Sequence, residues 1–136
     1  SCEFVGLTAG VSPNVDFLKE TELEIDRGIV VNQYLETNIP NVYAIGDCAQ
    51  NSNPEKGRRP IEQVWYTGRM MGETLARTIC GEQTPYKPGV WFNSAKFFDV
   101  EYQTYGEVLS ELKVGQERFY WEDTKGQICY KMVFII

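Results

Sequence analysis

Gly46-Asp47 follows a short apolar run, Val42-Tyr43-Ala44-Ile45, and is the point where this chain's residue types best suit ligand chemistry. An apolar run of that length, bounded by turn formers, reads as a buried strand. In open α/β sheets, ligands bind beyond the carboxyl ends of the strands. A glycine there lets backbone come close to a ligand, and a neighbouring carboxylate can accept a hydrogen bond from a sugar hydroxyl. The same residues also describe a plain buried strand ended by a Gly-Asp turn, and composition alone favours that simpler description.

Other chemistry is thinly supplied. The 136 residues contain no histidine, which removes the commonest general base and every Ser-His or Cys-His nucleophile arrangement. Cys2, Cys48, Cys80 and Cys129 are far apart and show no C-x-x-C spacing, so neither a disulfide framework nor a zinc site is expected. No residue is assigned a catalytic or metal-binding role, and any reaction falls to a cofactor or to residues beyond this chain. A formal charge of −6 argues against nucleic acid, because phosphate binding needs clustered Lys and Arg. Lys56, Arg58 and Arg59 form the one basic cluster, too short for that purpose. No apolar run approaches the ~20 residues that cross a bilayer, and the N-terminus does not look like a signal peptide. A soluble cytoplasmic protein without a membrane partner is expected.

Several elements must hold Gly46-Asp47 in place. Residues 2–9 read as a strand, Gly10-Val11-Ser12-Pro13-Asn14 as a turn, Gly28 to Val31 as a short strand, and Asn51 to Pro60 as a loop. A helix is expected from about Ile61 to Cys80, with Val64, Trp65, Gly68, Met71, Gly72, Leu75, Ala76 and Ile79 on one face. Pro60 and Gly81 punctuate it, and Arg69, Glu73 and Arg77 lie four apart on the other face. A mid-helix glycine costs ~1 kcal/mol relative to alanine. Gly68 and Gly72, one turn apart, therefore imply close approach to that face by a ligand or by tightly packed protein. Thr84 to Gly89 reads as a linker, and a domain boundary is placed near residue 84, giving segments 1–84 and 85–136. Beyond it, Phe98, Val100 and Tyr102 alternate with polar residues as in a strand. Glu117 to Trp121 and Gln127 to Ile136 flank Asp123-Thr124-Lys125-Gly126 as a hairpin. The aromatic load of this half suits either an interface or a β core.

The stretch from Thr37 to Ala49 resembles the second FAD-binding motif of the pyridine nucleotide–disulfide oxidoreductase superfamily, T-x-x-x-x-(hydrophobic)-(aromatic)-A-x-G-D. Thr37, Val42, Tyr43, Ala44, Gly46 and Asp47 fall on its fixed positions. Gly28-Ile29-Val30-Val31 matches the G-I-x-V strand that precedes this motif, and Gly10 to Asn14 is similar to the G-x-x-P-N turn closing the family's NAD(P)H domain. Gly72 falls on the glycine of a Q-G pair common in relatives, with Met71 in place of the glutamine. Among subfamilies, the nearest resemblance is to nitrite reductase-like and ferredoxin or rubredoxin reductase-like members.

The resemblance implies an α+β chain, a fragment of a flavoprotein with two dinucleotide-binding α/β domains, followed by a truncated β-rich interface domain. Residues 1–84 would close the NAD(P)H- and FAD-binding region, and 85–136 would open the dimerisation domain. Asp47 would bond the ribityl chain of FAD, with Gly46 and Cys48 beside it. Trp65, Tyr66 and Thr67 would bring backbone N–H groups and the positive helix end to the flavin ring. Gly10 completes the set of cofactor-binding candidates. Cys48 reads as a small buried residue rather than a redox thiol. The intact enzyme would pass electrons from NAD(P)H through FAD to an unidentified protein or small molecule. The chain opens and closes within strand-like stretches. Because the pyrophosphate-binding turn of the family is not in this sequence, the chain by itself is expected to be inactive and to hold no FAD, and its strand-like ends are expected to pair with another copy in a homodimer through its second half. A non-catalytic dimerisation module is the competing expectation.

Overall fold

The computed structural model describes residues 3–7 and 10–136. It divides into two compact units, residues 1–88 and 89–136. In the first unit, strands β1 (Ile29–Val31) and β2 (Ala49–Asn51) pair in parallel, with Ile29 opposite Ala49 and Val31 opposite Asn51. Val31, Leu35 and Ala49 are almost wholly buried, and Val15, Ile29, Ala44, Met71 and Tyr86 complete the core around them. Gln50 locks the entrance to β1: its Oε1 accepts from the backbone N–H groups of Arg27 (3.1 Å) and Gly28 (3.0 Å), and its Nε2 donates to Asp26 (2.9 Å). Asn32 does the same beyond β1, its Oδ1 accepting from the N–H groups of Tyr34 and Glu36. That turn puts the buried Leu35 at a φ of +64°.

Helix α1 spans Trp65–Ile79 and places Met71 and Thr67 inward. It begins later than the sequence periodicity suggests. Residues 58–64 are held instead by non-helical bonds: the Asn51 N–H donates to Pro60 O (2.9 Å), and Glu62 is tied to Arg58 and to the Arg59 N–H. Two further expectations need correction. Val42 to Ile45 is not a strand, because Tyr43 makes only an isolated bridge to Glu36. A strand needs a continuous ladder, and here the neighbouring bonds belong to a turn closed by Thr37. Residues 3–7 carry no strand; the rest of the expected strand over 2–9 (residues 2, 8 and 9) lies outside the described residues.

The second unit consists of two antiparallel hairpins, β3 (Phe92–Phe97) with β4 (Val100–Tyr105), and β5 (Gln116–Glu122) with β6 (Cys129–Ile135). Phe98, expected within a strand, sits in the two-residue turn between β3 and β4 with φ +53° and 96% exposure. The β5–β6 turn is pinned by Asp123, whose Oδ1 accepts from the N–H groups of Gln127 (2.6 Å) and Ile128 (2.9 Å). These bonds hold the Asp123 carboxyl below its ordinary pKa. Cross-strand aromatics line both hairpins, with Phe92 stacked on Tyr105 and Trp121 beside Tyr130. No described residue of this unit is buried within it. Among the described residues, no helix is long and apolar enough to cross a membrane.

Candidate functional site

Thr37 starts the site by closing the turn that leads into it. Its Oγ1 donates to Val42 O (2.9 Å) and accepts from the Ile39 N–H (3.2 Å), while its own N–H donates to Val42 O (2.9 Å). Asn41 supplies the left-handed residue of that turn at φ +63°, a conformation asparagine tolerates better than most side chains. Ala44 then donates to Leu35 O (3.2 Å) and is buried, which aims the chain at Gly46.

Gly46 adopts φ +75° and opens a single 3-10 turn, Gly46–Cys48, that runs straight into β2. No atom lies within 4 Å of where its side chain would be, so the backbone here borders open space. Asp47 is exposed, and its carboxylate accepts no hydrogen bond from the described residues. Cys48 is half-buried with its Sγ 3.5 Å from Ile45 O, the behaviour of a small packing residue.

Helix α1 packs on this turn through its glycine face. A β-carbon added at Gly68 would stand 3.5 Å from Gly46 Cα, and one at Gly72 would stand 3.9 Å from Ile45 Cδ1. Gly68 thus faces backbone and Gly72 a side chain, and the closer approach is at Gly68. Met71, which replaces the glutamine of the resembled pattern, is buried and accepts from the Gly46 N–H through its sulfur at 3.3 Å. Sulfur is a weak acceptor.

The first turn of α1 brings Trp65, Tyr66 and Thr67 into the same neighbourhood in different states. Trp65 is exposed, packs edge-on to Tyr66 at 5.2 Å and lies under the Arg69 guanidinium at 5.7 Å. Thr67 is buried, and its hydroxyl donates to Glu62 Oε2 at 3.2 Å. The residue before the helix, Val64, provides no side-chain cap, so the positive end of the helix is not satisfied by an acidic or hydroxyl cap. Gly10, with φ +80° and nothing near its absent side chain, is not joined to Gly46 by any described contact. Its neighbours Val11, Ser12 and Pro13 instead line a cleft of about 580 Å³ with Arg27, Arg59, Pro60, Ile61 and Gln63.

A buried polar group went unforeseen. Arg58 and Glu62 form an ion pair with side chains only 6% and 7% exposed. Tyr86 lies close by, and burial pushes its phenol up to about 12 against the opposing pull of the Arg58 guanidinium. In sequence, Arg58 and Glu62 look like an ordinary surface pair four apart; nothing in their types marks the pair as internal.

Gly46 thus borders open space where a side chain would be, the Asp47 carboxylate is exposed, and Val64 gives α1 no side-chain cap. Residues 1–72 match the family described as pyridine nucleotide-disulphide oxidoreductase. Among curated relatives, the nitrite reductase [NAD(P)H] of Bacillus subtilis is 31% identical over 107 residues, which is 77% of this chain and 12% of that protein. The NADH-rubredoxin oxidoreductase of Clostridium acetobutylicum is 39% identical over 77 residues, 57% of this chain and 19% of that protein. The chain therefore spans less than a fifth of either relative. The ferredoxin reductase for the CYP199A2 system from Rhodopseudomonas palustris, 23% identical, shares the fold with a TM-score of 0.76 over 93% of this chain and 30% of its own. Matched over more than half its length, this chain belongs to the pyridine nucleotide-disulphide oxidoreductase family.

Proposed function

We propose that this chain supplies one set of FAD contacts to an oxidoreductase that passes electrons from NAD(P)H to an acceptor. The observation that carries this reading is the Asp47 carboxylate, exposed and unengaged beside Gly46, whose side-chain position borders open space. In that position it accepts a hydrogen bond from a ribityl hydroxyl, a charge-assisted bond of about 1.5–3 kcal/mol. Gly46 gives the backbone room to approach. The first turn of α1, at Trp65, Tyr66 and Thr67, directs N–H groups and its positive end toward electronegative ring atoms. Cys48 packs the turn, and Gly10 shapes the backbone next to the cleft at Arg27 and Arg59. The bound flavin supplies the hydride and electron chemistry, and these residues bind and orient it.

Residues 85–136 are proposed as part of an interface domain. The solvent-facing Phe119, Tyr120, Trp121, Met132 and Phe134 support that reading, since aromatics and methionine are enriched where proteins meet. The same exposure is what favours the second reading, a dimerisation module that binds no cofactor by itself. The acceptor is proposed as a small redox protein or a small molecule. A cytoplasmic setting accords with cysteines that lack disulfide spacing.

A visible spectrum of the purified full-length protein tests the proposal. Flavin absorption near about 450 nm, bleached by anaerobic NADH or NADPH, is the expected result. A colourless full-length protein favours the module reading.

A further inference from the structure

Glu62 stands three residues before α1 and is 9% exposed. Its Oε2 accepts from Arg58 Nη2 and from Thr67 Oγ1 (3.2 Å), and its Oε1 accepts from the Arg59 backbone N–H (3.2 Å). One carboxylate therefore fastens three points: the loop before the helix, the residue beside it, and the third residue of α1. Thr67 immediately precedes Gly68, the position where α1 meets Gly46. A buried ion pair contributes little net stability, because lost hydration offsets the attraction; its clearer effect is to fix geometry. The pairing also matters for charge. A lone carboxylate this close to a helix start would offset the positive helix end, and the Arg58 guanidinium neutralises it.

We propose that Glu62 is a positioning residue for FAD: through Arg58 and Thr67 it sets where the uncapped start of α1 stands relative to Gly46-Asp47, without spending the positive helix end. This rests on the FAD reading above. Glu62 itself touches no cofactor atom and acts through the helix.

The test uses full-length apoprotein titrated with FAD, with melting temperature and the position of the flavin absorption band read in parallel. Two variants separate positioning from stability. Thr67→Val keeps the shape and deletes the hydroxyl. The double change Arg58→Met with Glu62→Leu replaces the ion pair by apolar side chains of similar size, an exchange often neutral or stabilising. Thr67→Val is expected to melt close to the wild-type temperature, and so is the double change, in which removal of the buried charges offsets the loss of the acceptor for the Arg59 N–H and the Thr67 hydroxyl. Both should bind FAD about tenfold more weakly and shift the flavin band. Wild-type affinity and an unmoved band in the variants, with FAD bound normally by the wild type, overturn the positioning role alone. Wild-type apoprotein that takes up no FAD overturns the FAD reading and this inference together.

Discussion

A methyl group at Gly28 would lie 2.7 Å from the carbonyl oxygen of Cys48 and 3.2 Å from Gln50 Cβ. The first neighbour is backbone of the turn that carries Asp47, so it yields only if the site itself moves. Gly28→Ala in the full-length protein is expected to cost about 1–3 kcal/mol, as overpacking does, measured by urea denaturation; wild-type stability would contradict the close approach of Gly28 to Cys48 O. Tyr86 makes a second residue-scale case. Its folded pKa of about 12 stands above the ordinary 10.0, so its contribution to stability is complete below pH 10 and is lost as pH rises toward 12. In that window the unfolded chain releases a proton that the folded chain retains. Tyr86→Phe should flatten this alkaline limb in pH-dependent melts, and an unchanged limb would contradict the burial of the phenol.

Helix α1 and the turn it covers were legible to different degrees. The 3–4 spacing of apolar residues located the helix, and the resemblance selected Gly46-Asp47. The late start at Trp65 could not be read, because it depends on Glu62 being recruited by Arg58 and Thr67 across space. Val42 to Ile45 misled for a related reason: apolar content suggested a buried strand, but only Ala44 is buried, Val42 and Ile45 are exposed, and pairing stops at the single bridge of Tyr43 to Glu36. Phe98 fitted the alternation of β4 and yet forms its turn, since a period of two cannot reveal where a hairpin reverses. Nearby packing gives a test at this scale. Gly68→Leu should destabilise the full-length protein by about 1–3 kcal/mol, with Gly72→Leu also costly and Ala76→Ser nearly neutral, because Ala76 is exposed. Equal thermal stability of the Gly68 and Ala76 variants would show that α1 does not rest on Gly46.

The chain spans less than a fifth of the two curated relatives named above. A dinucleotide cofactor needs several sets of contacts, and the proposed site at Gly46 to Thr67 would be one of them. By itself the 136-residue chain should therefore be colourless, because each ~1.4 kcal/mol of lost contact is tenfold in affinity. It should also self-associate in solution through the exposed aromatic faces of β3 to β6, as light scattering would read; a monomer carrying flavin would contradict both expectations. The most direct test of the central claim is the FAD content of full-length wild-type and Asp47→Ala proteins after gel filtration, with circular dichroism as a check on folding. The wild type should retain FAD, and the equally folded Asp47→Ala protein should lose it, its affinity lowered about tenfold or more. Full FAD retention by Asp47→Ala would contradict the account.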